Sequence, residues 1–211
     1  MRSSIPVVFA GISISHAKVR DLVLADVRPP VRAGDLDLLR GIGRIVAIID
    51  GELAPDALLS ASEIERAIGR GLDLRGSSSV GALRAAEFRH RGMTGSGWVH
   101  RAFCTGWLTG TEEIAVLYDP RSFHPLTVPL VTVRFWLKRF VRTGAITAPG
   151  ADAVMSAVKA LRLQERTPQA VLTRLADTPI PEQVKKEINR ITDPHYDIKA
   201  RDALHLLRSL K

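Results

Sequence analysis

The chain has 211 residues, 45% of them hydrophobic and 25% charged, and a formal net charge of +8. This length supports one substantial core with at most a small additional module. The single cysteine, Cys104, excludes an intrachain disulfide, the apolar run at residues 5–14 is too short to span a bilayer, and the six histidines lack metal-ligand spacing. We therefore expect a cytoplasmic globular protein without a metal site.

The first part of the chain alternates between short apolar runs and helix-start signals. Strands are predicted at residues 5–10, 25–28, 44–49 and 72–75. Helices are predicted at residues 15–24, 35–41, 60–68 and 80–88. The run at 44–49 is apolar after its first residue, which is typical of a central parallel strand buried on both faces. This alternation predicts an α/β fold with a doubly wound, mainly parallel sheet.

The last third of the chain carries helix signals alone. Helices are predicted at residues 129–142, 151–163, 167–175, 181–191 and 197–210. We therefore predict two domains, an α/β core over residues 1–133 and a helical C-terminal module over residues 134–211.

The predicted C-terminal module carries most of the positive charge. Residues 134–211 contain 15 lysines and arginines against 8 acidic residues. Arg134, Lys138 and Arg142 recur at intervals of four on one helix face, so they are predicted to bind an acidic partner, with a solvated face as the alternative. Aromatic residues make up only 5% of the chain, which argues against a nucleic-acid partner.

Loops that follow parallel strands share one edge of the sheet, and polar residues occupy these loops here. Ser13 follows the first predicted strand, Arg28 precedes a proline pair after the second, and Asp50 ends the third. Ser13 and Arg28 are predicted to bind an anion and Asp50 to be catalytic. A simple Asp-Gly turn at Asp50 and a helix cap in the first loop are the alternatives.

The fourth predicted strand leads directly into a helix through the segment GSSSVGALRAAEF, residues 76–88. Free N–H groups and the positive end of the helix dipole at such a turn suit an anion. The turn resembles a nucleophile elbow with Ser79 as nucleophile, although Ser77 stands at the first glycine position.

We therefore predict Ser78 and Ser79 as catalytic residues. The predicted anion-binding residues of this segment are Gly76, Ser77, Gly81 and Arg84. In the alternative, one serine is only a helix cap, the glycines allow close packing, and Arg84 forms an ordinary surface bridge with Glu87.

Several blocks occur in a fixed order: VFAGISIS, RPPVRAGDL, IIDGE, GSSSVGALRAAEF, GMTGSGWVHRAFCTG, EEIAV and HPLTVPLVTVR. Together they resemble the TfuA-like family over about residues 5–135. Ile12 stands where the family usually has proline, Val80 where it has methionine, and Tyr118 where it often has histidine. The helical tail lies outside the resemblance.

The resemblance implies a partner role. TfuA-like proteins work with YcaO enzymes, which use ATP to activate a backbone amide so that sulfur can replace its oxygen in ribosomal peptides. The resemblance implies docking with or activating the YcaO enzyme and supplying sulfide. Hydrolysis of the C-terminal thiocarboxylate of a small sulfur-carrier protein is one route, and another sulfide source is the alternative. The precursor peptide would be an indirect partner, and ATP would bind the YcaO enzyme, so no cofactor is expected here.

In this scheme the serines and N–H groups at residues 76–81 hold the thiocarboxylate, while Asp50 orients or activates water. Two other classes stay open. A stand-alone serine hydrolase would explain the turn, but the sequence lacks a late histidine in a strand-end loop. A basic module that binds acidic peptide or RNA would explain the charge of the last third.

Overall fold

The computed structural model describes residues 5–178, 180, 181, 184 and 196–210. The chain forms two compact units, Met1–Thr111 with Lys199–Lys211, and Glu112–Ile198. These bounds differ from the predicted domains because the last helix packs in the core of the first unit rather than with the other C-terminal helices. Apart from residues 181 and 184, the helix predicted at residues 181–191 lies outside the described residues.

Five parallel strands form the sheet of the first unit, in the order β2-β1-β3-β4-β5. They are β1 Val7–Phe9, β2 Asp26–Arg28, β3 Ile45–Ile48, β4 Asp73–Gly76 and β5 Thr94–Gly95. The first four coincide with the predicted strands. The two-residue edge strand β5 has no apolar run and was not predicted.

Helices follow the strands and form the second unit. They are α1 His16–Leu22, α2 Ala61–Gly69, α3 Val80–Glu87, α4 Gly97–Cys104, α5 Leu130–Arg142, α6 Ala148–Lys159, α7 Pro168–Ala176 and α8 Ile198–Arg208. Ser15 and Ser60 cap α1 and α2, and Thr167 caps α7, as their types predict. The helix predicted at residues 35–41 is a single 3-10 turn, Leu36–Leu38.

Both faces of the sheet are covered, as expected for a doubly wound fold. Phe9 and Ile48 pack on the face that carries α2 and α3, in a cluster with Ile64 and Ala85. The alternate strand residues, including Val8 and Ala47, pack on the opposite face with α1 and α8. Successive strand residues point to opposite faces, so one short apolar strand supplies both core layers. The predicted α/β fold is confirmed.

The second unit has a separate helical core. Trp136, Leu137 and Phe140 of α5 pack with Val154 and Val158 of α6 in one buried cluster. Leu175 of α7 belongs to the same cluster. In the part of the chain that the structure describes, no helix is long and apolar enough to cross a membrane.

Candidate active site at the switch point of the sheet

The order of the strands contains one reversal of the winding direction. Strand β1 lies between β2 and β3, so the chain winds one way from β1 to β2 and the other way from β3 to β4 and β5. In open parallel sheets, ligands bind at this reversal, outside the carboxyl ends of the strands. The loop after β1 (residues 11–13, the β1 loop) and Asp50 after β3 meet there.

Asp50 is fully buried and binds the β1 loop through both carboxylate oxygens. Its Oδ2 accepts hydrogen bonds from the backbone N–H groups of Gly11, Ile12 and Ser13 at 3.1, 3.0 and 2.8 Å. The Ser13 hydroxyl donates to Oδ1 at 2.5 Å. Three successive N–H groups aimed at one oxygen form an anion receptor. Ser13 is therefore hydrogen-bonded to Asp50 of the same chain, and its role in binding an anionic ligand stays a prediction.

Burial raises the pKa of the Asp50 carboxyl above its usual value, because desolvation disfavours the charged form. The positive charge of Lys199 and the hydrogen bonds from Ser13 and Ile12 oppose this effect. Lys199 lies in the first turn of α8 and is only 2% exposed. A buried lysine requires a polar or charged partner, and Asp50 supplies the opposite charge.

The turn between β4 and α3 (residues 77–79, the serine turn) packs tightly against the end of β3. A Cβ atom at Gly81 would lie 1.7 Å from the Ile48 carbonyl oxygen, and one at Gly76 would lie 2.0 Å from the Gly81 oxygen. The packing alone therefore requires both glycines. The Ser77 N–H donates to the Ile48 carbonyl, and the Ser79 N–H donates to the Ile49 carbonyl.

Ser78 differs from its neighbours in backbone and side chain. Its φ is +71°, in the left-handed region that a residue with a Cβ rarely adopts. Its hydroxyl is shielded from solvent and has no hydrogen-bond partner. The N–H groups of Ser78 and Val80 also make no hydrogen bond to a described residue. Three unused donors therefore lie at the N-terminal end of α3, which favours an anion.

The other two serines of the turn have different environments. The Ser77 hydroxyl is bonded to the carbonyl oxygens of Ser96 and Asp202, each at 3.0 Å. Ser79 occupies the N-cap position of α3, but its side chain makes no capping hydrogen bond. A left-handed backbone, as found at a nucleophile elbow, thus occurs at Ser78, with Gly76 at the first glycine position of the pattern and Val80 at the second.

Helix α8 contributes residues that sequence reasoning missed. Asp202 is 5% exposed and accepts a hydrogen bond from the Val99 N–H at 2.7 Å, at the start of α4. Burial raises the pKa of this carboxyl as well. Lys199 and Asp202 share a face with the buried residues Ala203, Leu206 and Leu207. Charged residues at apolar positions of a helix were the signal that could have identified them.

The two arginines predicted for the crevice have partners of their own. Arg28 binds Asp26 of the same strand through Nε and Nη2, at 3.1 and 2.8 Å. Arg84 binds Glu87 at 2.6 Å, the bridge that the alternative interpretation predicted.

The three basic residues predicted to bind a partner have different environments on α5. The Arg134 guanidinium binds both carboxylate oxygens of Glu113, which is 2% exposed, at 2.7 and 2.8 Å. Lys138 and Arg142 are exposed.

No histidine contacts the serine turn among the described residues. His16 Nε2 lies 2.8 Å from the Ala10 carbonyl oxygen, and His100 Nε2 lies 3.3 Å from Cys104 Sγ. Because the Ser78 hydroxyl has no partner, Ser78 is not part of a Ser-His-Asp arrangement. The same residues contain no group of three or more side chains that could hold a metal ion.

Comparison with known families gives one match. A family model described as TfuA-like protein matches residues 50–167, more than half of the chain. The matched range begins at Asp50 and includes the serine turn, and it ends before α8. No curated protein matches the chain.

Proposed function

The chain belongs to the TfuA-like family, and from this premise we propose that it assists an ATP-dependent YcaO enzyme in thioamidating a peptide backbone. Its own task in this proposal is to release sulfide from the C-terminal thiocarboxylate of a small sulfur-carrier protein. The YcaO enzyme uses the ATP and binds the precursor peptide, so the chain acts on that peptide only through its partner.

The unused donors of the serine turn carry the hydrolytic part of this proposal. The Ser78 hydroxyl and the N–H groups of Ser78 and Val80 have no acceptor among the described residues. A buried hydroxyl without a partner costs about 1–3 kcal/mol, so a ligand that supplies an acceptor gains that energy on binding. A thiocarboxylate offers two such acceptors, its oxygen and its sulfur, together with a negative charge that the α3 dipole favours.

In the proposed reaction the Ser78 oxygen attacks the carbonyl carbon of the thiocarboxylate. The C–S bond breaks, the acyl–oxygen bond forms, and the serine proton leaves on sulfur as hydrosulfide. Water then hydrolyses the acyl-serine to the carboxylate, returning the proton to Ser78 and releasing one proton. The N–H groups of Ser78 and Val80 stabilise the negative oxygen that develops on the carbonyl.

This chemistry explains why a serine without a histidine suits the substrate. In amide hydrolysis a histidine must carry the serine proton to the leaving group. A thiocarboxylate brings its own proton acceptor, because its sulfur is anionic and must be protonated to leave. Both oxygens of Asp50 are occupied by hydrogen bonds, so we assign Asp50 to holding the β1 loop rather than to activating water.

Sulfide release from a carrier protein bearing a C-terminal thiocarboxylate tests the proposal. We expect the wild-type protein to release sulfide catalytically and Ser78→Ala to lose at least about 100-fold in rate, because the reacting oxygen is gone. Ser79→Ala is the matched control, since its side chain makes no cap bond, and it should retain its rate within about threefold. Equal rates for all three proteins would remove the serine turn from the chemistry.

A further inference from the structure

The Asp50 site has the composition of an anion receptor, but its ligand is part of the chain. Three N–H groups and one hydroxyl from the β1 loop converge on the Asp50 carboxylate over distances of 2.5–3.1 Å. This is the donor arrangement that binds free anions at strand-to-helix loops of parallel sheets. Such a receptor is complete when a cation balances the charge of the buried anion.

Helix α8 supplies that cation. Residues of its buried face belong to one buried cluster with Ala10 and Ile49, the residues that directly precede the β1 loop and Asp50. One turn after Lys199, the Asp202 carbonyl accepts a hydrogen bond from Ser77 of the serine turn. Lys199 therefore lies on a helix that accepts a hydrogen bond from the serine turn and shares a buried cluster with the residue before Asp50, and at 2% exposure its charge cannot be solvated by bulk water.

We infer that Lys199 and the β1 loop form a carboxylate receptor that Asp50 fills from within, so that α8 belongs to the functional site. Lys199 is a positioning residue here: it acts on the β1 loop through Asp50 and does not touch the reacting atoms. The family match ends at residue 167, so this residue is supplied by a part of the chain that the match does not cover. Only the expected effect of Lys199 on sulfide release rests on the proposed function.

Chemical rescue tests the receptor directly. Asp50→Ala empties it, and formate has the size and charge of the missing carboxylate. We expect Asp50→Ala to melt at a lower temperature than the wild type and about 100 mM formate to raise its Tm by about 3 °C. Pivalate at the same concentration controls for ionic strength, because it is too large for the vacated space.

The double variant Asp50→Ala/Lys199→Met should lose the formate response, and Asp50→Ala/Lys199→Arg should keep at least part of it. A formate response of equal size with methionine at position 199 would overturn the role of Lys199. Absence of a response in folded Asp50→Ala would overturn the receptor itself.

A second measurement covers the case in which Asp50→Ala does not fold. The carboxyl carbon of Asp50 can be titrated by ¹³C NMR in the wild type, Lys199→Met and Lys199→Arg. Lys199 of α8 is the charged group that acts on the Asp50 carboxyl among the described residues. Loss of Lys199 should move the Asp50 midpoint to higher pH, whereas arginine should keep it near the wild-type value. Identical midpoints in all three would contradict the inference.

Neither measurement uses a carrier protein, so a failure of sulfide release leaves both interpretable. If sulfide release occurs as proposed, Lys199→Met should reduce it by at least about tenfold, and Lys199→Arg should restore part of the rate. If Lys199→Arg restores sulfide release and also keeps the Asp50 midpoint near the wild-type value, the loss in Lys199→Met comes from the receptor and not from a general loss of stability.

Discussion

Ser78 combines two unfavourable features, a left-handed backbone and a buried hydroxyl without a partner. Each costs on the order of 1 kcal/mol or more. Such costs persist in proteins mainly where a site requires them. On either side of Ser78, Gly81 contacts the Ile48 carbonyl of β3 and Gly76 contacts the Gly81 carbonyl, and neither position has room for a Cβ atom.

These features predict that Ser78→Ala is more stable than the wild type. Removing the orphan hydroxyl should raise the unfolding free energy by about 1 kcal/mol, or the Tm by about 3 °C. Ser78→Gly should also be relieved of the left-handed strain. Thermal melts of both variants and of Ser79→Ala, which should differ little from the wild type, check the prediction. A Ser78→Ala protein less stable by 1 kcal/mol or more would mean that the hydroxyl makes a stabilising bond.

Sequence reasoning named both Ser78 and Ser79 but could not separate them. The elbow pattern favours Ser79 when Gly81 is taken as its last glycine, and the structure places the left-handed residue one position earlier. The difference is not visible in the sequence, because the contacts of Gly81 with the Ile48 carbonyl of β3 and of Gly76 with Gly81 belong to tertiary packing. Asp50 was identified as a strand-end carboxylate, but its partners in the β1 loop are 37 or more residues away along the chain.

At the scale of elements, the first four strands and most helices could be predicted from the sequence, but β5 and α4 were missed. The core against which the last helix packs could not be predicted either. The amphipathic pattern of α8 predicts a buried face, but several cores offer such a surface. The sequence therefore placed α8 with the preceding helices, whereas its apolar face packs beside α1 on the sheet. Likewise, the spacing of Arg134, Lys138 and Arg142 predicted one basic stripe. The structure shows that Arg134 has a buried carboxylate as its partner.

The ion pair between Arg134 and the buried Glu113 gives a stability prediction. Arg134→Met should destabilise the second unit by about 3 kcal/mol, because the buried Glu113 would lose its bidentate partner. Chemical denaturation measures this change. The exposed residue Lys138, one helical turn away, provides the matched control, and Lys138→Met should change the unfolding free energy by less than about 0.5 kcal/mol. Equal effects of the two substitutions would contradict a structural role for the Arg134–Glu113 pair.

The different environments of Arg134 and of the two exposed residues decide how docking should be tested. Charge reversal at Arg134 would unfold part of the protein and imitate a loss of binding. Lys138 and Arg142, both exposed on α5, are the residues through which an acidic surface of the YcaO enzyme could be attracted in the proposed complex.

For the whole molecule, the chain combines an α/β unit that carries the candidate site with a helical unit that carries exposed positive charge. The fold class was predictable because four short apolar runs alternate with helix signals, and this pattern has few three-dimensional solutions. The crevice was predictable in outline, since strand-end loops of a parallel sheet share one edge. The contribution of α8 to the site could not be predicted, because α8 is more than 120 residues away from the serine turn along the chain.

Thioamide formation with the carrier thiocarboxylate as the only sulfur source tests the central proposal most directly. The mixture contains the YcaO enzyme, its precursor peptide and ATP, with wild-type protein, Ser78→Ala or no addition, and the thioamide is quantified by mass spectrometry. We predict that wild-type protein raises the yield at least about tenfold and that Ser78→Ala does so only when free sulfide is supplied. An unchanged yield on adding wild-type protein to its cognate YcaO enzyme would contradict the proposed function.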